Sequence, residues 1–148
     1  MSEETPPPPP PPAPPPPAYG APVQPPGQLY VGKVRSTGIC ILLYFVTFGI
    51  YGLVWWFLVH DEMKRHSGQG IGGVLALVVA VFISPVAAFL TSDEVGKLHE
   101  RTGRPAPVSA LTGLWYFPGI FLIFLPIVWF VKTNGALNDY WRAQGALG

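Results

Sequence analysis

The residues best equipped for chemistry gather in one charged run, His60-Asp61-Glu62-Met63-Lys64-Arg65-His66, followed by Ser67 and Gly68. Two imidazoles and two carboxylates within seven positions invite a metal-site reading, because zinc accepts His nitrogen and carboxylate oxygen. The spacing speaks against it. His60 and His66 are six apart and fall on different faces of a helix, unlike the i,i+4 pair of an H-E-x-x-H motif. Helix electrostatics accounts for the run instead. Asp61 with Arg65 and Glu62 with His66 are i,i+4 pairs, basic residues suit a helix C-terminus, and Gly68 is a natural stop. His99 and Glu100 also set an imidazole beside a carboxylate, but neighbours on a helix point apart, and acid–base work needs them to converge. The single cysteine, Cys40, rules out an internal disulfide or a cysteine-based metal cluster. It follows Thr37-Gly38-Ile39 loosely as in a lipoprotein cleavage site, yet the apolar run comes after it, whereas a signal needs it before. The expectation is no catalytic, cofactor-binding or metal-binding residue, no cofactor, and no enzyme.

The elements around these runs are apolar. Charge is absent from 36–59, 67–92 and 105–131. The most apolar cores are 38–59, 71–90 and 110–131, with 13, 12 and 13 Leu, Ile, Val or Phe residues. As helices of roughly 33, 30 and 33 Å they match a hydrocarbon core of about 30 Å. Each gains several kcal/mol on insertion, at roughly −0.3 to −0.6 kcal/mol per such residue. Three all-round apolar helices in a chain this small cannot all be central helices of a globule, since too little other chain remains to cover them. Charged residues are 11% of the sequence, against about 25% in soluble domains. The predicted fold is therefore an all-α integral membrane protein with three transmembrane helices. Trp55, Trp56, Trp115, Trp129 and Trp141 sit near the ends of the apolar stretches, where indoles favour the headgroup region. Between the second and third spans, Thr91 and Glu94 read as a capping box, with Gly103 and Pro105 as a stop. Val95, Leu98 and Thr102 line one side and Asp93 pairs with Lys97, as in a short interfacial helix.

The first 30 residues hold 14 of the 19 prolines. Pro6–Pro12 and Pro14–Pro17 impose polyproline II without a packed core, a stiff spacer or the docking segment of an unknown partner. The predicted domains are a disordered proline-rich tail at 1–32, a helical membrane domain at 33–141 and a short tail at 142–148. A formal charge of +1 gives no reason to expect nucleic acid.

The second span carries the most specific packing pattern. Gly72, Ala76, Ala80, Ser84 and Ala88 recur at every fourth position, so their small side chains form one slowly winding groove. In lipid, small-xxx-small stripes let backbones approach and drive helix association. The occupant is another span of the same chain or the same helix of a second copy. Ala80→Leu should fill the groove, whereas Val79→Leu should be nearly neutral.

Thr47-Phe48-Gly49-Ile50-Tyr51-Gly52-Leu53-Val54-Trp55-Trp56 resembles the signature of a bacterial membrane family, domain of unknown function 4234. Thr47, Gly49, Ile50, Tyr51 and Trp55 carry the motif, and Ala136-Leu137-Asn138-Asp139-Tyr140-Trp141 resembles its closing segment. At Asn134 members often carry Gln. The resemblance covers about 33–141 and implies a multi-spanning membrane module without an assigned activity or functional residue. The functional expectation is a non-enzymatic packing or interaction module in the cell membrane. Its partners are the lipid bilayer and either itself or another membrane protein. A subunit of an oligomeric channel or transporter is the alternative, favoured by Pro85, Pro118 and Pro126 and opposed by spans without ionisable residues. The proline-rich N-terminus is expected in the cytoplasm and the C-terminus outside, although Gly49 and Gly52 leave open a re-entrant first segment.

Overall fold

The computed structural model describes residues 30–116 and 124–148. The expectation for the tail at 1–32 therefore lies almost wholly outside the described residues, as does Pro118. Among these residues five α-helices follow one another: α1 (Thr37–Val46), α2 (Ile50–Ser67), α3 (Gly72–Phe82), α4 (Ser84–Arg101) and α5 (Phe124–Ala143). A 3-10 segment, Ala110–Trp115, lies between α4 and α5.

The first apolar stretch is broken after one short helix. Beyond Val46 the backbone turns left-handed at Phe48 (φ 52°) and Gly49 (φ 88°), which ends α1 and reverses the chain. The Thr47 hydroxyl donates to the Leu43 carbonyl at 2.7 Å and accepts the Tyr51 amide at 2.8 Å, so one side chain closes α1 and caps α2. The two helices run antiparallel. The Cys40 Sγ lies 3.3 Å from the Tyr51 hydroxyl, and Arg35, ahead of α1, meets Glu62 in the fourth turn of α2.

The second stretch breaks as well. Pro85 lacks an N–H to continue the ladder of α3, and its ring would clash with the carbonyl four residues before it, whereas the first turn of a new helix accepts it. Helix α3 stops at Phe82, Ile83 takes φ −143°, and α4 starts with Pro85 in its first turn. Glu94 on α4 accepts the Ile71 amide at 2.9 Å, which places the middle of α4 beside the start of α3. The 3-10 segment then returns along α4, with the Val108 carbonyl against Gly96 and Phe89 against Gly113. Helix α5 runs parallel to α4, pairing Trp129 with Ser92 and Ala136 with His99. The described residues thus form two hairpins, α1–α2 and α3–α4, with the 3-10 segment and α5 packed beside them. The turns at Phe48–Gly49 and Ile83 face one end, while the segment 30–36, the connectors at 68–71 and 102–109 and the C-terminus meet at the other.

Three transmembrane helices are not formed: no described helix is long and apolar enough to cross a membrane. Helices α1 and α3 have 10 and 11 residues, about 15 Å each at about 1.5 Å per residue, half the hydrocarbon thickness of about 30 Å. A hydropathy window sums side chains and is blind to the left-handed turn at Phe48–Gly49 and to Pro85, where the direction reverses. Asn138, near the end of α5, binds Arg35 ahead of α1, so these two segments lie together. Nor is there a separate interfacial helix. Helix α4 passes through Thr91 and Glu94 without a boundary, and both side chains point into contacts with α2.

The core is aromatic. Trp55, Trp56, Trp129 and Trp141 are buried, against the headgroup belt expected of them, and Trp115 is about half exposed. Rings of Trp55, Trp56, Trp129, Tyr116 and Phe130 meet edge-on or tilted, with centroids 4.9–6.5 Å apart. Two glycines admit close backbone approaches that hold the layers together. A methyl on Gly73 would stand 2.6 Å from the Phe57 carbonyl oxygen, and one on Gly96 would strike that of Val108. Gly96→Ala should lower stability by about 1–3 kcal/mol despite alanine's better helix propensity, because backbone cannot yield to it as a flexible side chain could. Thermal melts in detergent read this directly, and an unchanged midpoint would show that the α4–3-10 contact is loose.

Candidate functional site

Two regions stand out, a buried polar lattice at the connector end and an apolar surface at the turning points. The lattice begins at Arg35. Its guanidinium meets Glu62 in two parallel hydrogen bonds of 2.8 and 2.6 Å, the fork geometry that makes Arg–carboxylate pairs specific. Burial works against the Arg35 charge, but the hydrogen bond and the charge of Glu62 outweigh it and hold its pKa above the usual value. The Arg35 backbone is gripped independently. The Asn138 carboxamide accepts the Arg35 N–H at 2.9 Å and donates to its carbonyl at 2.7 Å. Asn134 donates to the same carbonyl at 3.2 Å and to Thr37 at 2.9 Å, and accepts the Trp55 indole N–H at 3.1 Å. Two amide side chains on α5 thus fasten the start of the first hairpin.

His60, expected only to decorate a connector, is fully buried between α2 and α4. Its Nδ1 lies 2.8 Å from Glu94 and its Nε2 2.9 Å from the Thr91 hydroxyl. Thr91 donates its one hydrogen to the Ala87 carbonyl at 2.6 Å and accepts the Trp56 N–H at 3.0 Å. His60 Nε2 is then the donor to Thr91, and the Nδ1–Glu94 contact needs a second hydrogen, held as imidazolium–carboxylate or as imidazole–carboxylic acid. His66 is equally committed: Nδ1 donates to the Tyr30 carbonyl, leaving Nε2 to accept the Tyr140 hydroxyl at 2.8 Å. Burial raises the Tyr140 pKa, which keeps that hydroxyl a donor. His99 Nε2 donates to the Ala136 carbonyl at 2.9 Å.

The expected i,i+4 pairs Asp61–Arg65 and Asp93–Lys97 are present at 2.8 and 2.5 Å. The expected Glu62–His66 pair is not, because Arg35 and Tyr30 take those side chains. Chemically the lattice fastens: its imidazoles and carboxylates are engaged by neighbouring elements.

The motif residues are the joints of the first hairpin. Thr47 and Gly49 make the turn, Tyr51 meets Cys40, Trp55 reaches Asn134, and Ile50 stays largely exposed at the turn. Of the small-residue stripe, Gly72, Ala76 and Ala80 are buried on α3 and Ala88 on α4. Ser84 lies just past the Ile83 break, so the five do not share one helix. Gly73 abuts α2, and Ala76 and Ala80 lie three and seven residues further along that side. Ala80→Leu should therefore cost about 1–3 kcal/mol in a thermal melt and Val79→Leu less than about 1; equal costs would remove the close α3 packing.

The opposite end is apolar and open. Phe48 is 96% exposed, Phe82 80% and Phe124 77%, joined by Val46, Ile50, Val81 and Ile83. Scattered exposed apolar residues are ordinary, whereas a contiguous patch marks a contact surface. Sequence reading missed this patch because it assigned the same residues to span interiors.

A charge-free end of helical turns beneath a buried polar lattice defines, among the described residues, an all-helical domain of two hairpins, a 3-10 segment and α5. The chain belongs to the family described as Domain of unknown function (DUF4234), whose model matches residues 35–139. The match starts at Arg35 and ends one residue past Asn138, so it takes in the Arg35–Glu62, Asn134, Asn138 and His60–Glu94 contacts of the lattice. No curated protein matches, and no solved structure matches.

Proposed function

We propose that this chain is a membrane-associated packing module that inserts the turns of its two described hairpins, at Phe48–Gly49 and Ile83, into one leaflet of the cell membrane. Its connectors, both termini and the proline-rich tail stay together on the cytoplasmic side. The observation that carries this reading is the exposed apolar end, above all Phe48. A bulky residue at φ 52° is strained, and Gly or Asn would suit the turn better. Among the described residues nothing covers the ring, which is 96% exposed, and an apolar medium around it would offset the strain. The depth agrees: α1 and α3, about 15 Å long, suit one leaflet. Support for a non-enzymatic role comes from the histidines and buried carboxylates, whose hydrogen bonds fasten helices to one another.

Single-cysteine labelling in a Cys40→Ser background tests the arrangement. Gln69→Cys, Thr102→Cys and Gln144→Cys should all react with a membrane-impermeant maleimide from one face, and Phe48→Cys from neither. Reaction of Gln69→Cys and Thr102→Cys from opposite faces would refute it.

A further inference from the structure

Between the first hairpin and α5 lies a cavity of about 320 Å³. Its walls include Ile41 and Tyr44 from α1, Trp55 from α2, and Ile127, Trp129 and Phe130 from α5. Near the lattice α1 and α5 are tied through Thr37 and Asn134; the cavity lies further along both helices, as a slot. We propose that this slot takes the hydrocarbon chain of a membrane lipid from the surrounding leaflet, a reading that rests on the one-leaflet insertion above.

Size, polarity and position each argue for that occupant. The volume is about twice that of an engineered cavity of about 150 Å³ that stays dry and binds benzene, and lies at the lower end of ligand pockets of about 300–1,000 Å³. A water needs two to four polar partners, and the walls offer few. The indole N–H groups of Trp55, Trp56 and Trp129 are directed to Asn134, Thr91 and Ser92, and Cys40 and Tyr51 satisfy each other. Among the described residues no charged side chain lines the slot, so it suits a lipid tail and not a carboxylate or phosphate head. An empty apolar cavity forfeits contacts on all its walls, a loss that grows with volume. Tyr44 and Phe45, which also border the slot, are about half exposed and adjoin the open apolar surface at Leu42 and Val46. A chain can therefore slide in sideways without crossing a polar layer.

Three of the five tryptophans line the slot, which supplies an internal reporter. The Trp115→Phe variant removes the exposed indole. In vesicles of phosphatidylcholine brominated at mid-chain, its remaining fluorescence should fall at least about twofold, since heavy-atom quenching needs contact and the slot indoles are otherwise buried. Adding Ile127→Phe narrows the slot and should weaken lipid-chain binding about tenfold, restoring most of the emission. If that variant does not fold, Ile41→Phe narrows the slot from the opposite wall. Flotation of the same vesicles separates the two ideas. A chain that floats with unquenched indoles, or with quenching indifferent to both narrowing variants, overturns the slot alone. A chain that does not float overturns the insertion reading beneath it.

Discussion

Replacing Phe48 and Phe82 by aspartate should release the chain from bilayers without lowering its melting temperature in detergent. Each substitution removes a ring worth about 1.5–3 kcal/mol when fully buried and adds a carboxylate costing about 2.5–3.5 kcal/mol near a bilayer centre. Tips that reach one leaflet deep feel part of that sum. Even half of it lowers partitioning by at least about a hundredfold for the pair, at about 1.4 kcal/mol per decade. The fold has little to lose, because Phe48 and Phe82 are 96% and 80% exposed. At residue 48 it gains, since Asp tolerates the left-handed backbone better than Phe. At residue 82 an acid in the last turn of α3 opposes the helix dipole by about 0.3–1 kcal/mol, which roughly cancels that gain. Binding and stability therefore move independently. A parallel loss of melting temperature would place both rings in the core, and unchanged flotation would remove the turning points as the membrane contact.

Why the sequence reveals the apolar end and hides its use is visible at particular residues. Gly49 and Gly52 leave a reversal of the first stretch open, and the structure turns at Phe48–Gly49, while Gly68 is legible as the end of α2. Pro85 carried the same kind of signal for the second stretch, but a proline in an apolar run reads equally as a kink or a reversal. The decision lies in contacts far along the chain, Cys40 with Tyr51 and Ile71 with Glu94. The tryptophans misled for a related reason. Their position at the ends of apolar stretches fits an interface belt, whereas their N–H partners Asn134, Thr91 and Ser92 lie 79, 35 and 37 residues away. Local charge pairs such as Asp61–Arg65 are a property of helical periodicity and could be read. The buried pairs His60–Glu94 and Arg35–Glu62, 34 and 27 residues apart, belong to the tertiary structure. The family motif likewise marks conspicuous residues, but only the fold shows that Thr47 caps α2 and that Asn138 grips Arg35.

The lattice should fail by parts in an order that separates charge from shape. Glu62→Leu leaves the Arg35 guanidinium, with only 12% of its side chain exposed, without its carboxylate. Breaking a buried pair from one side typically costs about 3–5 kcal/mol, chiefly through the stranded charge. Arg35→Met strands Glu62 in turn, although the Lys33 N–H still reaches that carboxylate at 3.3 Å, so its cost should be the smaller. The double variant Arg35→Met/Glu62→Leu removes both charges and their desolvation, and should be more stable than either single variant. Asn138→Leu acts differently. It strips the partner from the Arg35 N–H, while the Arg35 carbonyl keeps Asn134 at 3.2 Å. One buried donor left unsatisfied costs about 1–3 kcal/mol. Because this loss is made on the backbone, removing the Arg35 side chain should not rescue it, and Asn138→Leu with Arg35→Met should be close to additive. Denaturant titration in a fixed detergent measures all six species on one scale. A double Arg35/Glu62 variant no better than its worse single would show a pair solvated enough to break without penalty. Rescue of Asn138→Leu by Arg35→Met would show that the lattice holds the side chain rather than the strand that carries it.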